Sequence, residues 1–209
     1  MKRLAILGSG DLGQQVAHYA IADNHYDEVV FLDDFTTEST IREIAVIGKS
    51  SDAKSLHQAG RFDELIIAIG YHHLKKKREI FDSLAGQVPF GKIIHSTTFV
   101  DPTAEIGEGC VIYPGCSIDI RAKIGANSIL NNGCTIAHDS SIGAHNFLSP
   151  RVAVAGFVTT GQLCNIGINA TIIDNISLGD EIRLGGGTVV TKDLHTAGLY
   201  VGNPHRFIR

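Results

Sequence analysis

The chain has 209 residues, 44% hydrophobic and 19% charged, with 18 Lys plus Arg against 22 Asp plus Glu for a formal charge of −4. This apolar share supports a sizeable core and excludes disorder as the main state, and the charge balance suggests neither a nucleic-acid nor an anionic-membrane partner. No uncharged run nears the roughly 20 residues that span a bilayer, and glycines interrupt the N-terminus before a signal peptide's apolar stretch is complete, so a soluble, cytoplasmic chain is expected.

Residues 4–7 read as a short apolar strand, Gly8 to Gly13 as a glycine-rich turn, and 14–22 as a helix. A second strand at 29–32 ends in Asp33-Asp34; a third is expected at 45–47, a helix at 51–59, a fourth strand at 64–69 and a helix at 74–84. Strands alternating with helices predict a small parallel α/β, Rossmann-like domain over 1–91. It is too short for both halves of a dinucleotide fold, which disfavours a nicotinamide dehydrogenase.

Gly8, Gly10 and Gly13 follow a strand and open a helix, where glycine permits a sharp turn and close backbone approach to a phosphate. Asp33 or Asp34, at the end of the next strand, can accept hydrogen bonds from a ribose or base. Gly70 is expected on the same ligand-binding side of the sheet, at the end of the fourth strand. In the basic run from His72 to Arg78, Lys75, Lys76, Lys77 and Arg78 read as a solvated helix face.

From Ala104 to Asp193 the period changes. Fifteen consecutive blocks of six run without an insertion, the third place is Ile, Leu or Val in all but one (Thr160), and seven blocks carry Gly in the fourth place. This is a hexapeptide repeat, and it predicts a β-helix over 92–209 in which three blocks make one coil of eighteen residues with the third-place aliphatics stacked inside. Cys110, Cys116, Cys134 and Cys164 all take the first place of a block, expected to be a tight interior corner. They are read as small buried hydrophobes, not as metal ligands, disulfides or nucleophiles. The segment from Gly198 to Arg209 is expected to cap the last coil with Tyr200, Val201 and Phe207.

Within the repeat, His138 occupies a fifth place, near a corner, and Gly156 stands one coil later, so the two should stack about 4.8 Å apart. That sets a candidate general base beside a backbone N–H, the parts of an acyl transfer. Asp139 could orient the imidazole. His145, in another place of its block, is expected to be structural or substrate-facing.

At these residues the chain resembles a family. Phe31-Leu32-Asp33-Asp34-Phe35 in the α/β part, then unbroken hexads with Ile136-Ala137-His138-Asp139, Ala155-Gly156, Gly167-Ile168-Asn169 and Gly185-Gly186-Gly187, are similar to the bacterial nucleotide-sugar N-acetyltransferases of 4-amino-4,6-dideoxy-sugars such as bacillosamine and perosamine. The resemblance implies a left-handed parallel β-helix, a homotrimer, acetyl-CoA lying between prisms, no metal, and a nucleotide-linked amino sugar held by the N-terminal domain. It implies that His138 is the general base, Asp139 its carboxylate partner and the Gly156 amide the contact to the thioester carbonyl. Ile168 and Gly186 match positions that hold the pantetheine arm, Asn131 a residue near the sugar, and Asp33 and Asp34 the base and ribose end. Asp11 stands where some relatives place a histidine near the diphosphate, and Phe147 where some have a second active-site histidine.

The expected reaction is direct N-acetylation of a UDP- or dTDP-linked amino sugar. The alternatives are sugar O-acetylation of the sialic acid type, a non-catalytic nucleotide-sugar scaffold, and a metal-dependent hydratase, for which the hexads hold too few histidines.

Overall fold

Leu4, Ala5, Ile6 and Leu7 are buried to within 3%, as a central parallel strand covered on both faces requires. They lie in the first of two units into which the computed structural model, describing residues 1–209, divides: Met1–Ile93 and Ile94–Arg209. The first unit runs β1 (Arg3–Leu7), α1 (Asp11–Ala22), β2 (Glu28–Leu32), β3 (Thr40–Ile41), β4 (Ile44–Gly48), α2 (Ala53–Gln58), β5 (Glu64–Ile67) and α3 (Leu74–Leu84). The sheet order is β3-β4-β2-β1-β5. Leu7 pairs in parallel with Leu32 on one side and Ile67 on the other, so the loops after β1, β2 and β5 leave the sheet along one edge.

Several details depart from the sequence reading. Helix α1 starts at Asp11, which puts Gly13 inside its first turn; a Cβ there would stand 2.9 Å from the Gly8 carbonyl carbon, so the turn closes only on glycine. β5 ends at Ile67, and Gly70 instead caps a single helical turn leading into α3. The β3–β4 hairpin turns through Arg42 and Glu43 at φ of 45° and 67°, without the Asn or Gly that signals such a turn. Lys77, expected on a solvated face, is 1% exposed: α3 buries it together with Leu74, Ile80, Phe81 and Leu84.

The second unit is a left-handed parallel β-helix. Its strands are mostly two residues long and form three sheets of six, five and eight strands. Each strand pairs with the one eighteen residues on: Ser117 with Thr135, Thr135 with Ala153, Ala153 with Thr171 and Thr171 with Val189. Third-place residues such as Ile118, Ile136, Val154 and Ile172 form one continuous buried column. The four cysteines are 0–2% exposed.

The one break in the aliphatic rule has a partner. Thr160 Oγ1 accepts from Asn146 Nδ2 at 3.0 Å, and the buried Asn146 also donates to the Gly161 carbonyl and accepts from the Cys164 N–H. An amide among aliphatics is tolerated because its donors and acceptor are satisfied.

Every sixth residue from Gly109 to Gly187 has positive φ. Seven of these, Arg121, Asp139, His145, Arg151, Phe157, Leu163 and Glu181, are neither Gly nor Asn. Left-handed backbone costs such residues roughly 1–2 kcal/mol each, offset here by the hydrogen bonds between coils. The fourth-place glycines answer to close approach instead: a Cβ on Gly107 would meet the Ala126 nitrogen at 2.5 Å. At the end of the prism Gly198–Val201 adds a strand and Arg206–Phe207 returns antiparallel, with Tyr200 buried beneath.

Candidate active site

His138 follows the strand Thr135–Ile136 at a corner of the prism, and its neighbours arrive from the coils on either side. A Cβ built on Gly156 would stand 2.7 Å from His138 Cε1 and 2.8 Å from Nε2, so the imidazole lies against that glycine and no larger residue leaves it room. The Phe157 ring meets it edge-on, at 5.1 Å between centroids and 86°. His138 Nδ1 is 3.0 Å from Asp139 Oδ2. An ionised carboxylate only accepts, so Nδ1 carries the hydrogen and Nε2 the lone pair.

Asp139 is held from the preceding coil. Arg121 donates from Nε to Oδ1 at 2.6 Å and from Nη2 to Oδ2 at 2.9 Å, a two-pronged clamp. The guanidinium, and after it His138, hold the Asp139 carboxyl down to about 2. Arg121 was not among the residues expected here. The offset that stacks Gly156 on His138 also stacks Asp139 on Arg121, so the repeat itself carries the signal. Two atoms are left for chemistry: Nε2 of a side chain that is 44% exposed, and the Gly156 N–H, which donates to no acceptor in the chain, while its carbonyl accepts from Asn175. Beside this corner a shallow groove of about 360 Å³ runs over Ala137, Ala155 and Ile173.

The other expected residues of the prism lie elsewhere on it. Ile168 and Gly186 stack on one another, with a Cβ on Gly186 falling 3.1 Å from Ile168 Cγ2, at the corner that follows the third sheet. Asn131 follows a strand of that same sheet and donates from Nδ2 to the Leu148 carbonyl at 2.9 Å. His145 is 5% exposed and meets Asn127 at 3.0 Å, so its ring is buried in the prism. Phe147 is buried in a strand.

In the N-terminal unit the loops after β1, β2 and β5 bring Gly8, Gly10, Asp33, Asp34 and Gly70 to one sheet edge. Gly10 and Gly70 cap their helical turns in extended conformation, and a Cβ on either would meet nothing within 4 Å. Asp11 is exposed in the first turn of α1. Asp33 is largely spent inside the fold: Oδ2 accepts from the Ser9 N–H and hydroxyl at 2.8 and 2.7 Å, and Oδ1 from the N–H groups of Phe35 and Thr36. Burial raises its pKa, but these donors outweigh it and hold the carboxyl below its ordinary value. Asp34 oxygens accept only from Ser50, one bond each, and so retain capacity for a ligand. A cleft of about 640 Å³ lies wholly in this unit along α1 and includes Asp11, Gln14, His18 and Arg42.

No three His, Cys, Asp or Glu side chains gather closely enough to hold a metal ion, and no helix is long and apolar enough to cross a membrane.

Residues 3–84 match the family model described as the PglD N-terminal domain. The acetyltransferase domain of PglB from Neisseria gonorrhoeae is 27% identical over 100% of both chains, with a TM-score of 0.92. Over its whole length the chain thus resembles hexapeptide-repeat nucleotide-sugar N-acetyltransferases in fold and sequence. A variant of GDP-perosamine N-acetyltransferase from Caulobacter crescentus, solved with CoA and GDP-perosamine, is 26% identical over 100% of this chain and 98% of that one, with a TM-score of 0.89. Among curated proteins, UDP-3-O-acylglucosamine N-acyltransferase of Bordetella pertussis is 35% identical over 51 residues. That match covers 24% of this chain and only 14% of the curated relative's length.

Proposed function

We propose that this acetyltransferase moves an acetyl group from acetyl-CoA to the 4-amine of a UDP- or dTDP-linked 4-amino-4,6-dideoxy-sugar, in the cytoplasm. One observation carries the reading: an imidazole with Nδ1 committed to Asp139 and Nε2 open lies against a glycine whose N–H is unengaged. His138 Nε2 accepts the amine proton as nitrogen attacks the thioester carbon. The Gly156 N–H donates to the carbonyl oxygen as it becomes an oxyanion. The C–S bond then breaks and the proton on His138 returns to the departing thiolate. No acyl-enzyme forms, since the four cysteines are buried.

The two units take separate roles in this reading. Residues 1–91 hold the nucleotide, with the diphosphate at the Gly8 and Gly10 backbone, Asp11 lining the site without contacting phosphate, and the base and ribose at Asp34, Gly70 and, through its backbone setting, Asp33. Residues 92–209 perform the transfer. His138 and Gly156 sit at one corner while Ile168, Gly186 and Asn131 follow the third sheet, an arrangement suited to substrates clamped between neighbouring prisms of a homotrimer. Neighbours solved with acetyl-CoA, or with CoA and GDP-perosamine, support both substrate classes.

The test is CoA thiol release with a panel of UDP-, dTDP- and GDP-linked 4-amino-sugars. The reading expects turnover with one amino sugar, an alkali-stable N-acetyl product, and a loss of at least about 100-fold in kcat for His138→Asn with substrate binding retained. An alkali-labile product would make it an O-acetyltransferase; full activity in His138→Asn would overturn the base assignment.

A further inference from the structure

We propose that Arg121 is a positioning residue that sets the proton affinity of His138 by clamping Asp139, keeping the imidazole neutral and able to accept a proton near neutral pH. The inference rests on the reading of His138 as the base and adds what controls that base.

The geometry gives Arg121 two effects at once. Its fork engages both Asp139 oxygens, so the carboxylate cannot rotate away from Nδ1, and Oδ2 is shared between the guanidinium at 2.9 Å and the imidazole at 3.0 Å. A carboxylate alone beside a histidine favours the imidazolium and would take the base out of action at neutral pH. A guanidinium on the same oxygen opposes that pull. The clamp is itself anchored: the Arg121 N–H donates to Thr103 Oγ1 at 2.9 Å, and Thr103 is tied to Asp101.

The charged groups that face this corner are few. Asp101 and Asp119 lie behind Arg121 and reinforce its charge. Asp174, two coils beyond His138 in the same column, is held by Asn175 Nδ2 at 2.8 Å. Arg121 is thus the cation paired with the Asp139 carboxylate. Its side chain is 57% exposed, so replacing it leaves the core untouched.

The experiment compares Arg121→Gln and Arg121→Lys with the unaltered chain in two readouts. The first is the NMR titration of the His138 ring, assigned by its disappearance in His138→Asn. The second is the pH profile of kcat/KM. Arg121→Gln should raise the His138 midpoint by about half to one pH unit and move the acidic limb of the profile with it, so that activity below the limb falls about 3- to 10-fold. Arg121→Lys, a point charge without the fork, should restore most of the midpoint. A midpoint unmoved in Arg121→Gln, whatever happens to activity, overturns the proposal. A midpoint that moves in a chain whose His138→Asn variant turns over normally upholds the coupling and sinks only the catalytic reading of His138.

Discussion

Substituting Gly156 with alanine should separate catalysis from folding. The new Cβ would lie 2.7 Å from His138 Cε1, 2.8 Å from Nε2 and 3.3 Å from Nδ1, whereas carbon atoms pack comfortably at about 3.5–4.0 Å. The ring must therefore retreat by about 1 Å. It can do so, because the obstacle is the half-exposed end of a side chain and Gly156 does not need left-handed backbone. Stability should change by no more than about 1 kcal/mol. Catalysis cannot absorb the same shift, since a misplacement of about 1 Å costs on the order of 100-fold, or about 2.7 kcal/mol of barrier. Gly125→Ala is the control: its Cβ would stand 2.5 Å from the Gly143 carbonyl carbon and 2.8 Å from Ala144 Cα, backbone of the next coil that cannot swing aside. That variant should lose about 1–3 kcal/mol of stability and keep its turnover per folded molecule. Steady-state kcat and thermal melts on both variants decide the matter. The reasoning fails if Gly156→Ala turns over within threefold of the unaltered chain, or if its activity loss merely follows a lowered Tm.

Two other outcomes follow from the same geometry. Asp139, held at about 2 against an ordinary 3.8, is depressed in the folded chain; it therefore favours folding above about pH 4, and this contribution is lost as pH falls toward 2. Asp139→Asn should flatten the Tm-versus-pH curve in that window, and an unchanged slope would refute the assignment. The four cysteines, 0–2% exposed, should not react with an aromatic disulfide reagent in the native chain and should all react in guanidinium; a rapidly titrating native thiol would contradict their interior placement.

Much of the prism is legible from its period. An aliphatic residue at every third place of an uninterrupted six-residue beat can be buried only if the chain turns one corner per block, and the strands pair at the implied offset of eighteen residues. The same arithmetic foresees Gly156 beside His138. It contains Arg121 over Asp139 as well, although nothing in a CSIDIR block marks its arginine as anything but surface charge. In the α/β unit, composition marks Asp33 as a ligand carboxylate, whereas the folded loop spends it on Ser9, Phe35 and Thr36. Lys77 departs from expectation for a related reason: within a basic run, charge conceals which member is buried.

By itself the sequence determined the two-part architecture, the coil length and the interior phase, because periodicity is a local property that repeats and averages out exceptions such as Thr160. Only the tertiary structure decided the site's electrostatics. Whether Asp139 meets Arg121, whether His145 lies buried against Asn127, and whether Asp33 still has lone pairs to offer all depend on side-chain directions at left-handed corners, where residues far apart in sequence come within 3 Å. Local patterns specify which places face inward; the stacking of coils specifies which groups share a proton.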